Sequence, residues 1–235
     1  MSEIAAIILA AGRSTRFCAA GGGPASKLVA ELAGRPLVRL VATAALASRA
    51  RPVLVVTGHA RDEVMAALGG LPVTEIPNPL HASGLASSLA AGIAAVPATA
   101  QGTLVLLGDM PLVDAVLLDR LIDLFETRPQ VEAVVPVHAG RRGNPVLVGR
   151  ALFPAIAELV GDQGARKIIE AACVAELVVE GDAVSVDIDT PAMLADLEVQ
   201  AAPESSKSCS SSQPPTTPVA TMRVIASAPT GFENR

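Results

Sequence analysis

The chain has 235 residues, 51% of them hydrophobic, and a formal net charge of -5 at pH 7. That acidic balance argues against an extended nucleic-acid surface, which needs clustered lysine and arginine, but leaves room for a small anion held by a few local cations. With no Trp, no Tyr and four Phe the core must be aliphatic, and three scattered cysteines without C-x-x-C spacing imply neither a disulfide framework nor a zinc site.

Ile4 to Leu9 reads as a short buried strand that breaks at Gly12. This apolar run lacks a basic leader and falls well short of the roughly 18 residues a membrane span requires, so a soluble cytoplasmic protein with no membrane partner is expected. The stretch up to Lys27, "AAGRSTRFCAAGGGPASK", is read as a glycine-rich loop. A helix is expected at Leu37 to Leu46 behind Pro36, a strand at Pro52 to Gly58, and a helix at Asp62 to Leu68 with its acidic residues in the first turn, as the helix field prefers. Val73 to Ile76 gives a third strand, Leu85 to Val96 an Ala-rich helix, and Thr103 to Leu107 the clearest strand, halted by "GDMP". Asp114 to Phe125 follows as a helix, Val131 to Val137 as a strand, "GRRGNPVLV" as a turn feeding an extended segment, and Phe153 to Leu159 as a short helix. A further helix starts near Gly164, "CVAELVVE" and "SVDID" read as late strands, and Pro191 to Val199 closes as a helix.

Short aliphatic strands alternating with helices signal a three-layer α/β domain with a mainly parallel sheet, over residues 1 to 200. From 201 to 235 the Ser, Thr and Pro content is that of a low-complexity tail, expected to be disordered.

Three constellations carry chemistry. In the loop after the first strand, Gly12 permits close approach of a ligand, Arg13 and Arg16 offer forked donors, and Lys27 can neutralise phosphate. Its spacing satisfies neither a Walker A loop nor a G-x-G-x-x-G fingerprint, so a phosphate cradle stands beside a plain surface loop. Asp109, at the carboxyl end of the clearest strand, can hold a magnesium ion or cap the next turn. In "SVDIDTP", extended backbone would turn Asp187 and Asp189 to one face, while Thr190 supplies the helix cap ahead of Pro191. His59 and His81 read as loop packing.

Taken in order, "LAAGRSTR" followed by a lysine, "HASGLASSL", "LLGDMPLV", "GRRGNPVLV", "GDQGAR" and "DIDTP" resemble the molybdenum cofactor nucleotidyltransferases, most closely the cytidylyltransferase branch, over residues 3 to 199. The resemblance implies a Rossmann-like fold and magnesium-assisted transfer of CMP from CTP to the phosphate of molybdopterin, with pyrophosphate released. It implies a nucleotide loop of Ala10, Ala11, Gly12, Arg13 and Arg16 with Lys27, and a base and ribose segment at Gly84, Ser87 and Ser88. Arg16, Lys27 and Asp109 would be catalytic, and Asp109 with Asp187 or Asp189 would bind Mg2+. Arg142, Asn144, Asp162 and Arg166 would contact the acceptor, and a recipient molybdoenzyme would be a further partner. Cys18 stands where the family usually has a glycine nearby, so the tight turn is expected to move to Gly21, Gly22 or Gly23, with the extension bulging so as to preserve Lys27. Ala11 supports CTP. A guanylyltransferase using GTP and a non-catalytic nucleotide-binding accessory protein are the alternatives.

Overall fold

A computed structural model describes residues 3–22 and 26–201 of the chain. The expected tail lies outside the described residues, apart from Ala201, which ends the last helix.

The order is β1 (Ile4–Ala10), α1 (Thr15–Ala19), β2 (Glu31–Leu32), β3 (Arg35–Pro36), α2 (Leu37–Ala47), β4 (Val53–Thr57), α3 (Arg61–Ala67), β5 (Thr74–Pro77) and α4 (Leu85–Ala94). It continues β6 (Gly102–Leu107), α5 (Ala115–Glu126), β7 (Ala133–His138), β8 (Arg141–Arg142), β9 (Val146–Gly149), α6 (Phe153–Ala157), α7 (Arg166–Ala171), β10 (Val174–Val178) and α8 (Pro191–Ala201). The main sheet runs β10-β7-β9-β6-β1-β4-β5, with β8 on β7. Its pairings are parallel except those of β9 with β6 and β7 and of β8 with β7.

Central strands are buried on both faces, which is why they read as unbroken aliphatic runs. In β1, Ala6 and Ile8 face one core with Val38, Val41, Leu118 and Leu121, while Ala5 and Ile7 face the other with Leu89, Ile93 and Ile156. Helix α4 sits close on the sheet at Gly92, where a methyl group would lie 2.7 Å from Ile7 Cγ2. Helix α5 starts where Asp114 accepts from Leu117 N at 2.8 Å.

The sheet order places β4 and β6 on opposite sides of β1. Loops leaving β1 and β6 therefore diverge at their carboxyl ends, the usual position of a ligand crevice. A third, small core lies behind this point: Phe17 of α1, Leu32, Leu37 and Ile188 are buried together, with Val186, Leu194 and Leu197 against them.

Two expectations need correction, and one element was not anticipated. Residues 15–19 form a helix inside the stretch read as loop, and Cys18 lies in it. The turn has moved to Gly21, at φ +89°, one of the three positions expected for it. The segment "SVDID" is not a strand: Ile188 N donates to Asp109 O at 3.0 Å, but no ladder extends it. The hairpin of β2 and β3 was not foreseen at all; its turn carries Ala33 and Gly34 at positive φ.

Candidate active site

The loop after β1 is closed by two serines. Ser14, at φ +54°, accepts a hydrogen bond from Lys27 N at 3.1 Å, and its hydroxyl lies 3.3 Å from that of Ser26. These contacts clamp the two ends of the extension, so Lys27 returns to the end of β1 whatever the path between them. Ser26 is itself buried and accepts from Leu28 N.

Lys27 Nζ lies 2.6 Å from Asp109 Oδ2 and 2.8 Å from Asp189 Oδ1, with its side chain only 14% exposed. Arg16 pairs with the other oxygen of Asp189. Carboxylate oxygens of Asp109, Asp187 and Asp189 fall within 4.8 Å of one another. Their convergence follows from packing: Asp109 ends the turn after β6, and Ile188, with no exposed surface, is pinned in the small core between the two later aspartates. Phe17 is anchored in the same core and fixes Arg16 beside it.

Burial pulls the Lys27 ammonium down, but the charges of Asp109 and Asp189 outweigh it and raise its pKa above the ordinary value. The hydrogen bond from Lys27, against opposing burial, holds Asp189 below the usual carboxylate range, with Arg16 adding to the effect. Asp189 is therefore suited to act as an anionic oxygen donor, and carboxylate oxygen is the type a hard divalent cation prefers.

A cavity of 590 Å³ opens over these groups and runs along Ala11, Gly12, Arg13, Ser14, Thr15 and Arg16 to His81, Gly84, Ser88 and Asp162. Of the expected nucleotide residues, Ala10 does not line it; it is buried as the last residue of β1. Ser87 is not in its wall either. The Ser87 hydroxyl bonds the carbonyls of Leu80 and Gly84, each at 2.9 Å. Gly84, at φ +110°, lies against the loop of residues 161–162, and a methyl group there would sit 2.7 Å from Asp162 Oδ1. Asp162 thus lines the first cavity, apart from Arg142, Asn144 and Arg166, the other three expected acceptor contacts, which do not line it.

Arg142, Asn144 and Arg166 line two further cavities, of 320 and 680 Å³. The larger also includes Asp187, so it meets the first cavity at the acidic cluster.

Two groups were not anticipated. Asn78 is buried; its Nδ2 donates to both Ser87 and Ser88 at 3.0 Å, and its Oδ1 accepts from Leu80 N at 2.9 Å, which sets the entry to α4. An Asn-Pro dipeptide before "HASG" was the available signal. His81, read as loop packing, faces the first cavity, and its buried Nδ1 has no hydrogen-bond partner among the described residues.

The family model for the MobA-like NTP transferase domain matches residues 6–180. The chain belongs to this family. Like other members it is an enzyme of the NTP-transferase superfamily. It is 32% identical over 165 residues to the bifunctional protein GlmU of Sorangium cellulosum, covering 68% of the chain but 34% of the relative, so it spans about a third of that protein's length. It is 30% identical over 190 residues to the "Probable molybdenum cofactor guanylyltransferase" of Natronomonas pharaonis, covering 78% of the chain and 87% of the relative. Among solved structures, Rv0371c of Mycobacterium tuberculosis superposes with a TM-score of 0.73 at 29% identity, covering 84% of the chain and 98% of that protein; it has also been solved in complex with manganese. This MobA-like transferase thus has the expected Rossmann-like fold with a largely parallel sheet, and among its described residues no helix is long and apolar enough to cross a membrane.

Proposed function

We propose that this chain transfers a nucleoside monophosphate from a nucleoside triphosphate to the phosphate of the molybdopterin form of the molybdenum cofactor, releasing pyrophosphate. The observation that carries this reading is the convergence of Lys27 with Asp109, Asp187 and Asp189 at the foot of the cavity.

An acceptor phosphate oxygen attacks the α-phosphorus, the bond to the bridging oxygen breaks, and its electron pair leaves with pyrophosphate. A phosphate monoester is largely ionised near neutral pH, its second pKa being about 6, so no general base is needed. Catalysis then consists of placement and charge. Arg13, Arg16 and Lys27 bear on the triphosphate from one side of the cavity, and Lys27 offsets charge as it grows on the transferred group. Gly12 lets the phosphates approach the backbone closely, since no side chain intervenes. Gly84, Ser88, Asp162 and His81 wall the end away from the acidic cluster, where ribose and base would lie. Arg142, Asn144 and Arg166 receive the acceptor. Three carboxylate oxygens within 4.8 Å fit Mg2+, which Asp109, Asp187 and Asp189 would hold and which would supply positive charge to offset that of the phosphates.

The name of the guanylyltransferase relative from Natronomonas pharaonis favours GTP over CTP as the donor. CTP is supported by Ala11, which lines the cavity. Retention of all three carboxylates favours an enzyme over a nucleotide-binding accessory protein. The test is pyrophosphate release from GTP or CTP in the presence of Mg2+. Release should require the phosphorylated pterin and stop on chelation; release indifferent to the pterin would refute the acceptor assignment.

A further inference from the structure

The 680 Å³ cavity beyond Asp187 is lined by three arginines, Arg141, Arg142 and Arg166. Two of them are already answered. Arg142 Nε donates to Glu176 at 2.8 Å, and Arg166 Nε to Glu170 at 3.0 Å. Arg141 has no carboxylate within ion-pair distance among the described residues.

Its place is set by the backbone. His138 of β7 pairs with Arg141 of β8, so Ala139 and Gly140 form a two-residue hairpin turn, at φ +48° and +76°. Positive φ at both central positions is the mirror-image turn that matches strand twist, and alanine takes it only under constraint. The far side of the hairpin is equally fixed: Gly143 N donates to Pro136 O and Asn144 N to Val184 O, both at 2.9 Å. A methyl group on Gly143 would collide with Val184 O. Arg141 is therefore carried on a short, stiff ribbon at the edge of a cavity that shares Asp187 with the nucleotide side.

We propose that Arg141 binds an anionic group of the acceptor beside Arg142 and Arg166, as the arginine of this cavity that starts without a carboxylate partner among the described residues. A guanidinium matches phosphate with two parallel donors, and it has the most to gain when it starts unpaired. This inference rests on the proposed transfer to a phosphorylated acceptor.

The test uses the full chain with its nucleotide site filled by a non-hydrolysable GTP analogue and Mg2+, titrated with phenyl phosphate as the acceptor-side probe and followed by phosphorus NMR. Arg141→Ala should weaken phenyl phosphate about tenfold or more, as expected for loss of a charge-assisted pair, with Arg141→Lys between the two. Affinity for the GTP analogue and the melting temperature should stay at wild-type values. Phenyl phosphate bound equally well by wild type and Arg141→Ala, bound by neither, or lost together with the GTP analogue would overturn the proposal. In turnover with molybdopterin, the same variant should raise the acceptor KM about tenfold with kcat nearly unchanged, and an unaltered KM would count equally against it. If wild type forms no dinucleotide but binds phenyl phosphate through Arg141, the anion site stands and the assigned reaction falls.

Discussion

Replacing Lys27 with methionine keeps the length of the side chain and removes its charge. Two ammonium–carboxylate hydrogen bonds disappear, at 2.6 and 2.8 Å, each of a kind that contributes about 1.5–3 kcal/mol. Desolvation of the ammonium is regained, and Asp189 keeps Arg16. What remains is repulsion among three carboxylates within 4.8 Å, about 3.5 kcal/mol per pair at that separation for an effective dielectric near 20 and less with the water that reaches them. The net loss of stability should be about 1–3 kcal/mol in chelator-containing buffer at pH 7, below the range for breaking a fully buried pair because these side chains are 14–22% exposed. The pH dependence follows from the two shifts. Lys27 is raised on folding, so its contribution is complete below its unfolded pKa of about 10.4 and fades as pH rises through the higher folded value. Asp189 is lowered on folding, so its contribution is present above its unfolded pKa of about 3.9 and fades as pH falls through the lower folded value. Urea unfolding of wild type and Lys27→Met should show a gap that is flat across neutral pH and narrows at both extremes. Turnover should fall about 10²- to 10³-fold, the loss typical of one preorganised charge-stabilising donor. Equal stability of the two proteins at pH 7, or a gap that widens in acid, would refute the assigned pairing.

Asp109→Asn should lower turnover at least about 10²-fold while near-native circular dichroism is retained; a wild-type rate would remove Asp109 from the reaction. Asn78→Ala should destabilise the fold by about 1–3 kcal/mol, because the part-buried Leu80 N–H and the buried Ser88 hydroxyl lose the Asn78 contact and Ser87 loses one of its three, and should raise the triphosphate KM with little effect on that of the acceptor. Ile188→Ala should cost about 2–5 kcal/mol by thermal unfolding, since the side chain is wholly buried behind Asp187 and Asp189; a smaller loss would mean that the small core is not what holds the acidic pair.

Much of this was legible because the parallel strands are buried on both faces. Ile4 to Ala10 and Val53 to Thr57 are apolar without alternation, and turn residues mark where each stops. What periodicity missed depends on long-range partners. The antiparallel insertion of β9 between β6 and β7 is a matter of topology, since Val146 to Gly149 would look the same in a parallel strand. "SVDID" alternates like a strand because Ile188 must be buried and its flanking aspartates must not, yet it has no ladder to join. Helix α1 was hidden because Thr, Arg, Phe, Cys and Ala in a five-residue stretch give too few turns for a helical pattern, and burial of Phe17 against Ile188 selects the conformation. At the site, charge and position pointed to Lys27, Asp109, Asp187 and Asp189, which the fold brings together. Asn78 and Ser14 escaped notice because they act on the backbone and on other side chains, with no charge to announce them. Asp162 was grouped with the acceptor contacts through the resemblance of "GDQGAR", and the packing of residues 161–162 on Gly84 puts it in the wall of the first cavity, a contact that sequence alone does not show.

The most direct measurement is the mass of the product formed when molybdopterin and Mg2+ are incubated with the full chain and an equimolar mixture of GTP, CTP and ATP. The account predicts a pterin dinucleotide heavier by one nucleoside monophosphate, guanylyl by preference, with one pyrophosphate released per molecule formed. Recovery of the pterin unmodified, with all three triphosphates intact, would contradict it.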